Sequence, residues 1–323
     1  MRLGLRIERA AHRIVHALRR FLIAKFLIVL GHSADHMTKK PRRKNLKSAG
    51  KCIFCLGGAV PGNPMTREHL WSDWMDKAGL LPKGGEYFQF RQVFKQDRRN
   101  TVSMFRRTRQ GSANTVKIKV VCKKCNGDWM SRLETDVQRC LTPLIKGAPE
   151  VLDYQMRLTL SQWIAMKVLV AEHNSFVDHP ADPIYDQSAR NAFMESCAIP
   201  AGFRIWIAYQ NGAKWITGFH RHATGLGYTE TLPPPLPPPT RTKNIQVVTW
   251  GIGKLLIFLD AVSDPDVYGR FELSNIGPLH GLWPLSAANI IWPTQFLVGD
   301  AYIDDLTGAL GRYINSPSVI RQF

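Results

Sequence analysis

The chain lacks any apolar run long enough to cross a membrane. Its longest, Phe21 to Leu30, covers ten residues and is interrupted by Lys25, whereas a helix crossing roughly 30 Å of hydrocarbon needs about 20. No transmembrane segment is expected. Acidic residues are also scarce, 25 Asp and Glu facing 43 Lys and Arg for a formal net charge of +18. Six cysteines in 323 residues are few. Four of them stand in Cys-x-x-Cys pairs, a spacing that belongs to metal ligation rather than to a disulfide framework in a chain of this length. Thiol ligands favour a reducing compartment, so a cytoplasmic location is expected. No internal repeat is visible. With 45% hydrophobic residues the chain is long enough to bury one large core or two modest ones, and two domains are expected behind a basic arm.

The positive charge is unevenly spread. Residues 1–51 carry 14 Lys/Arg against Glu8 and Asp35, a net +12; residues 52–135 carry 15 against 7, a net +8; residues 136–323 carry 14 against 16, a net −2. Attraction to polyanions therefore belongs to the arm and to the segment that follows it. Nucleic acid is the expected partner of this first half. Within the arm, six arginines between Arg2 and Arg20 precede the apolar run, and a second basic stretch from Lys39 to Lys51 contains Pro41 and Gly50, which discourage helix. Three expectations follow: a basic amphipathic helix lying on a surface, a start at Met37 with the preceding residues dispensable, or a tail that tracks phosphates.

The four paired cysteines are Cys52, Cys55, Cys122 and Cys125. Zinc binds thiolates in a closed tetrahedron, and a two-residue spacer lets one turn aim two sulfurs at one ion, so four such ligands predict a structural zinc site. Between the pairs lie 66 residues, far more than the roughly 12 to 20 of a simple finger or ribbon. That insert opens with a Gly/Pro-rich turn region, and Arg67-Glu68-His69-Leu70-Trp71 leads into Trp74, Met75 and Leu80 at helical intervals. Tyr87 to Phe94 and Thr115 to Val121 read as strands, the second alternating Val116, Ile118 and Val120 with Lys117 and Lys119. A helix is predicted from about Gly127, which puts Asn126 at its start.

Cys52-Ile53-Phe54-Cys55, Glu68-His69 and Cys122-Lys123-Lys124-Cys125-Asn126 together resemble the HNH endonucleases of the ββα-metal fold, in the subgroup stapled by two Cys-x-x-Cys pairs. The resemblance covers residues 52–135. It implies a metal-dependent phosphodiester hydrolase acting on DNA, with His69 as general base and with Glu68 and Asn126 as oxygen ligands of a catalytic Mg²⁺ or similar divalent ion, while zinc serves as scaffold. Those roles are chemically coherent. Hard divalent ions take oxygen ligands and keep several waters, and an imidazole with an ordinary pKa near 6.5 is neutral often enough at pH 7 to accept a proton. Some positions depart from the family pattern: Ser72-Asp73 replaces a proline often found after the His, and the middle Asn has only Asn114 as a loose counterpart.

Plainer readings exist for each residue. Glu68 can pair with Arg67, Asn126 can cap the helix after it, and Glu134 reads as a solvated helix residue. The insert also carries Arg91, Lys95, Arg98, Arg99, Arg106, Arg107 and Arg109 interleaved with Phe90, Phe94 and Phe105. Such a patch suits contacts to phosphates, which position a nucleic acid without reading its sequence. The competing class of function is a zinc-stapled nucleic-acid-binding module without turnover; a third makes the arm a membrane-surface anchor and the cysteine knuckle an interaction platform.

In the C-terminal half, Leu133 to Ile145 and Tyr154 to Glu172 show helical apolar spacing, the latter with Trp163, Met166, Lys167 and Val170 as core. Phe203 to Tyr209, Trp215 to Phe219, Ile245 to Trp250 and Lys254 to Leu259 read as strands of an antiparallel sheet, with Asn211-Gly212 as a hairpin turn. His220-x-His222 is expected to be a surface pair, Cys140 and Cys197 core residues, and Pro233 to Pro239 a stiff loop. The predicted class is α+β: a zinc-stapled module over 52–135 followed by a helical and antiparallel-sheet domain over 136–323.

Overall fold

A computed structural model describes residues 50–82, 86–94, 102–110, 113–174, 181–226, 243–273 and 276–315. The expectations for residues 1–49, for Lys95, Arg98 and Arg99, and for Pro233 to Pro239 fall outside the described residues.

Two antiparallel strands, β1 (Met65–His69) and β4 (Lys117–Cys122), pair with Met65 opposite Cys122 and His69 opposite Lys117. Thr66 and Glu68 face Val121 and Ile118, so β4 carries one residue more than β1 across this stretch and bulges. The alternation of β4 has its predicted cause: Ile118 is buried while Lys117 and Lys119 are exposed. Between these strands the chain forms α1 (Asp73–Lys77), β2 (Glu86–Phe94), β3 (Val102–Gln110) and a 3₁₀ turn at Ala113–Thr115. The helix predicted toward Leu80 is thus a single turn, closed at Gly79, whose φ of 67° suits glycine.

Directly after β4 come α2 (Lys123–Gly127) and α3 (Trp129–Lys146). They are separate helices because Asp128, at φ −112° and ψ −103°, breaks the backbone between them. Met130, Leu133, Val137, Leu141 and Leu144 form the buried stripe of α3 at the three- and four-residue spacing of one helix face. Its end is set by Gly147, in the left-handed region at φ 73°, where a Cβ would lie 2.9 Å from Tyr209 Cε2. After β5 (Glu150–Leu152), α4 (Tyr154–Ala171) begins at Asp153, whose side chain accepts a hydrogen bond from Met156 N at 2.8 Å. Its last turns, Trp163 to Ala171, are buried residue after residue. A helix apolar on all sides belongs inside a core, and there Trp163 stacks on Trp250 with ring centroids 5.1 Å apart.

The remaining elements are α5 (Gln187–Ser196), β6 (Phe203–Gln210), β7 (Gly218–Thr224), β8 (Ile245–Ile252), β9 (Leu255–Val262), α6 (Pro265–Tyr268), β10 (His280–Trp283), β11 (Ile290–Trp292), β12 (Leu297–Val298) and α7 (Asp300–Asn315). The large sheet runs β10-β6-β9-β8-β7-β2-β3, with β12 also beside β6; β11 pairs with β5. The class is therefore mixed helix and sheet, consistent with α+β. The hairpin expected at Asn211-Gly212 does not form: β6 pairs with β9, β10 and β12, and β7 lies on the far side of the β8–β9 hairpin. The tight turn is instead Gly253-Lys254, with Gly253 at φ 57°. Trp215 is not in a strand but buried in the loop before β7.

The described residues all belong to one compact unit. The expected boundary at 135/136 falls inside α3, and the insert's β2 joins β7 in parallel register, Phe88 opposite Gly218 and Gln92 opposite His222. One buried cluster contains Cys52, Trp71 and Val121 from the cysteine-bracketed segment together with Trp163, Phe219 and Trp250. Each such large side chain contributes roughly 1.5 to 3 kcal/mol on burial, so the two halves share their stabilisation.

Candidate functional site

The four paired cysteines converge. Their sulfurs all lie within 4.8 Å of one another, and Cys55 Sγ is 3.7 Å from Cys122 Sγ. A tetrahedron with zinc–sulfur bonds near 2.3 Å has sulfur–sulfur edges of about 3.8 Å, so the cluster is compatible with structural zinc. The local backbone accounts for the convergence. Cys52 N bonds Gly57 O at 2.8 Å and Leu56 N bonds Cys52 O at 3.0 Å, curling the first pair into a knuckle; Ile53 N bonds Val120 O at 3.0 Å, fastening it beside β4, which delivers the second pair. Hydrogen bonding from Cys125 pushes the Cys52 thiol down to about 4 against the opposing effect of burial, so one thiolate is already favoured.

His69 ends β1. Its Nε2 is buried, has no hydrogen-bond partner among the described residues, and sits 3.6 Å from Asp73 Oδ1 on α1, too long for a hydrogen bond. Burial, then the nearby Lys117 charge, holds its pKa below the ordinary histidine value. Asp73 also pairs with Lys77 at 2.6 Å. This carboxylate faces the imidazole from four residues on, across the turn between β1 and α1, which the sequence alone does not signal.

Glu68 is 6% exposed and does not pair with Arg67. Its Oε1 accepts from Lys167 Nζ of α4, and among the described residues nothing hydrogen-bonds its Oε2. Burial raises its carboxyl above the ordinary range, against the attraction of Lys167. Asn126 lies within α2 and caps no helix; its Nδ2 donates to Thr66 Oγ1 at 3.0 Å, and Thr66 Oγ1 donates in turn to Val121 O at 3.1 Å. Its amide oxygen has no protein partner among the described residues. Glu68 Oε2 and Asn126 Oδ1 are thus two oxygen atoms without a hydrogen-bond partner among the described residues. Asn114, the loose counterpart of a middle Asn, instead donates to Asp76 Oδ2 at 2.7 Å.

Three sequence expectations need correction. Glu134 is not a solvated residue: it pairs with Lys167 at 2.5 Å and accepts from Ser72 Oγ at 2.7 Å and Trp74 Nε1 at 2.8 Å. The helix period that buries Met130, Leu133 and Val137 turns Glu134 partly inward beside them. His220 and His222 are buried because β7 is an interior strand of the large sheet. Cys140 is buried as expected, but Cys197 is half-buried at the left-handed end of α5, φ 53°.

The expected phosphate contacts are placed only by register. Arg91 stands opposite Phe105, Arg106 opposite Phe90, Arg107 opposite Gln89 and Arg109 opposite Tyr87. β3 is the terminal strand of the large sheet, which is separate from the β1–β4 pair. No helix among the described residues is long and apolar enough to cross a membrane. Comparison with protein families, with curated proteins and with solved structures finds no match to this chain.

Proposed function

We propose that the chain is a metal-dependent endonuclease of the HNH type that hydrolyses DNA phosphodiester bonds. The observation that carries this reading is the gathering of Glu68-His69 and Asn126 onto one strand–strand–helix unit closed by the four cysteines, with the Asn126 amide 3.0 Å from Thr66 on the same strand as His69.

In this reading His69 is the general base. Its lowered pKa keeps the ring neutral at pH 7, and the burial of Nε2 beside Asp73 leaves Nδ1 to take the proton. The attacking water loses a proton to Nδ1, its oxygen forms the new bond to phosphorus, and the bond to the leaving sugar oxygen breaks, that oxygen taking a proton from solvent as it departs. Glu68 and Asn126 would hold the divalent ion, which supplies positive charge to the phosphate and the departing oxygen. The cysteines take no part in the chemistry; they hold β4, α2 and the 52–58 knuckle together. The basic β2–β3 ribbon attracts the phosphate backbone.

A second reading, a nucleic-acid-binding module without turnover, draws support from one observation. Glu68 already serves Lys167, so its carboxylate has a structural occupation. The two readings part in one assay. Zinc-loaded chain incubated with supercoiled plasmid and Mg²⁺ or Mn²⁺ nicks it under the first reading, and EDTA stops the reaction. Retention of plasmid in a gel without any cleavage at any level of either ion sinks the nuclease and leaves the binding module.

A further inference from the structure

Lys167 lies in the last turns of α4, beyond the cysteine-bracketed segment, and it is 1% exposed. An ammonium has three donors. All three are met: Glu68 Oε1, Glu134 Oε1 at 2.5 Å and the backbone carbonyl oxygen of His69 at 2.9 Å. The ammonium nitrogen also lies over the Trp163 ring, 5.8 Å from its centroid. Burial alone would strip its proton, but the two carboxylates outweigh burial and hold the group charged.

The partners of this one group enclose the reactive dipeptide. Glu68 and the His69 carbonyl belong to β1. Glu134 belongs to α3 and is itself bonded by Ser72 and Trp74, which flank the start of α1, where Asp73 stands against the imidazole. A lysine that served only to neutralise a buried acid would need one carboxylate. Here the third bond goes to the main chain of His69, which fixes the strand end from which the imidazole projects. The pinning of Glu68 Oε1 also decides which of its oxygens stays open.

We infer that Lys167 is a positioning residue of the site: by binding Glu68, Glu134 and the His69 carbonyl together it sets the orientation of the His69 ring and of the free Glu68 oxygen, so that α4 is part of the active centre. The inference rests on the nuclease reading for its kinetic consequence only. Its geometric content is testable without turnover.

The test uses the zinc-loaded full chain and the variants Lys167→Met and Lys167→Gln. The first readout is the imidazole ¹H–¹⁵N spectrum, with the His69 signals assigned by their loss in His69→Ala. The inference predicts that Lys167→Met shifts or broadens the His69 ring signals while the zinc content stays at the wild-type value. Unchanged His69 signals together with a lowered melting temperature reduce Lys167 to a structural staple and overturn it. The second readout is plasmid nicking, where kcat is expected to fall at least tenfold with KM within twofold; an unchanged kcat overturns positioning. Should Lys167→Met lose zinc and fail to fold, Lys167→Gln, whose amide can still donate to one carboxylate, carries the same comparison and is read the same way. Wild-type chain that never nicks plasmid, with His69 signals that still move on substitution of Lys167, refutes the nuclease reading and leaves the positioning role standing.

Discussion

Removal of zinc has a consequence that the structure localises. Cys52, Cys122 and Cys125 are buried, and the knuckle that carries Cys52 and Cys55 is tied to β4 by the bond from Ile53 N to Val120 O and to α5 by Gln187 and Arg190, which donate to Ile53 O. A structural zinc contributes on the order of 10 to 16 kcal/mol of apparent binding energy in small zinc peptides, while a whole domain is typically stable by only about 5 to 15 kcal/mol. Loss of the ion is therefore enough to open residues 52–70 and 117–128. It is not enough to dissolve the second buried cluster, which contains Ile245, Val247, Leu256, Phe258 and Ile303 and none of the four cysteines. Chelation should thus produce a partly folded chain. Hydrogen exchange followed by mass spectrometry is the assay: on chelation the peptides covering 52–70 and 117–128 are expected to lose protection, and those covering β8, β9 and α7 to keep most of theirs. Equal protection of the cysteine-bearing peptides with and without metal would refute the staple, as would release of much less than one zinc per chain in a colorimetric titration.

Other consequences follow from the charges. Because the folded state holds the His69 pKa below its unfolded value near 6.5, the folded chain binds fewer protons, so this stabilisation is present above about pH 6.5 and is lost as pH falls toward the folded pKa; the acid limb of the nicking rate should lie below pH 6.5, and a limb centred above 7 would contradict a buried neutral imidazole. Glu172 is fully buried with its pKa pushed up to about 7 by burial, one oxygen bonded to Gln246 Nε2 at 2.6 Å. A raised carboxyl favours folding below its unfolded pKa and loses that contribution as pH rises through about 7. Glu172→Gln should therefore gain stability over the parent at pH 8, by on the order of 3 kcal/mol, and little at pH 5; urea melts giving the same difference at both pH values would refute it. Replacing Arg91, Arg107 and Arg109 by alanine should lower the salt dependence of DNA binding by up to about three in the log–log slope, and an unchanged slope removes the β2–β3 ribbon from the interface.

The parts of this molecule that could be read from sequence are those where one local rule decides. The cysteine spacing, the alternation of β4 as far as Lys119, the apolar period of α3 and the helix of α4 each follow from a short stretch of chain, and each appears where expected, although α4 is buried on all sides rather than along one face. What escaped depends on partners remote in sequence. Glu134 has a solvated residue's neighbours in the chain, and only the presence of Lys167, 33 positions on, makes it a buried acceptor. The same applies to Glu68, whose counter-ion is 99 residues away rather than next door at Arg67. Asn211-Gly212 carries hairpin chemistry, but the β8–β9 hairpin is inserted between the strands it was expected to join. His220 and His222 read as surface residues in sequence because the parallel partner of β7, the insert's β2, lies well over a hundred residues earlier.

The most direct test of the central claim is a single-turnover cleavage measurement on duplex DNA with zinc-loaded wild-type chain and His69→Ala at matched zinc content and matched DNA affinity. The account predicts Mg²⁺- or Mn²⁺-dependent cleavage by the wild type and a rate about 10² to 10⁴ lower in the variant, the range expected for loss of a general base. Equal rates in the two proteins, or no cleavage by wild type under conditions where it binds, would contradict it.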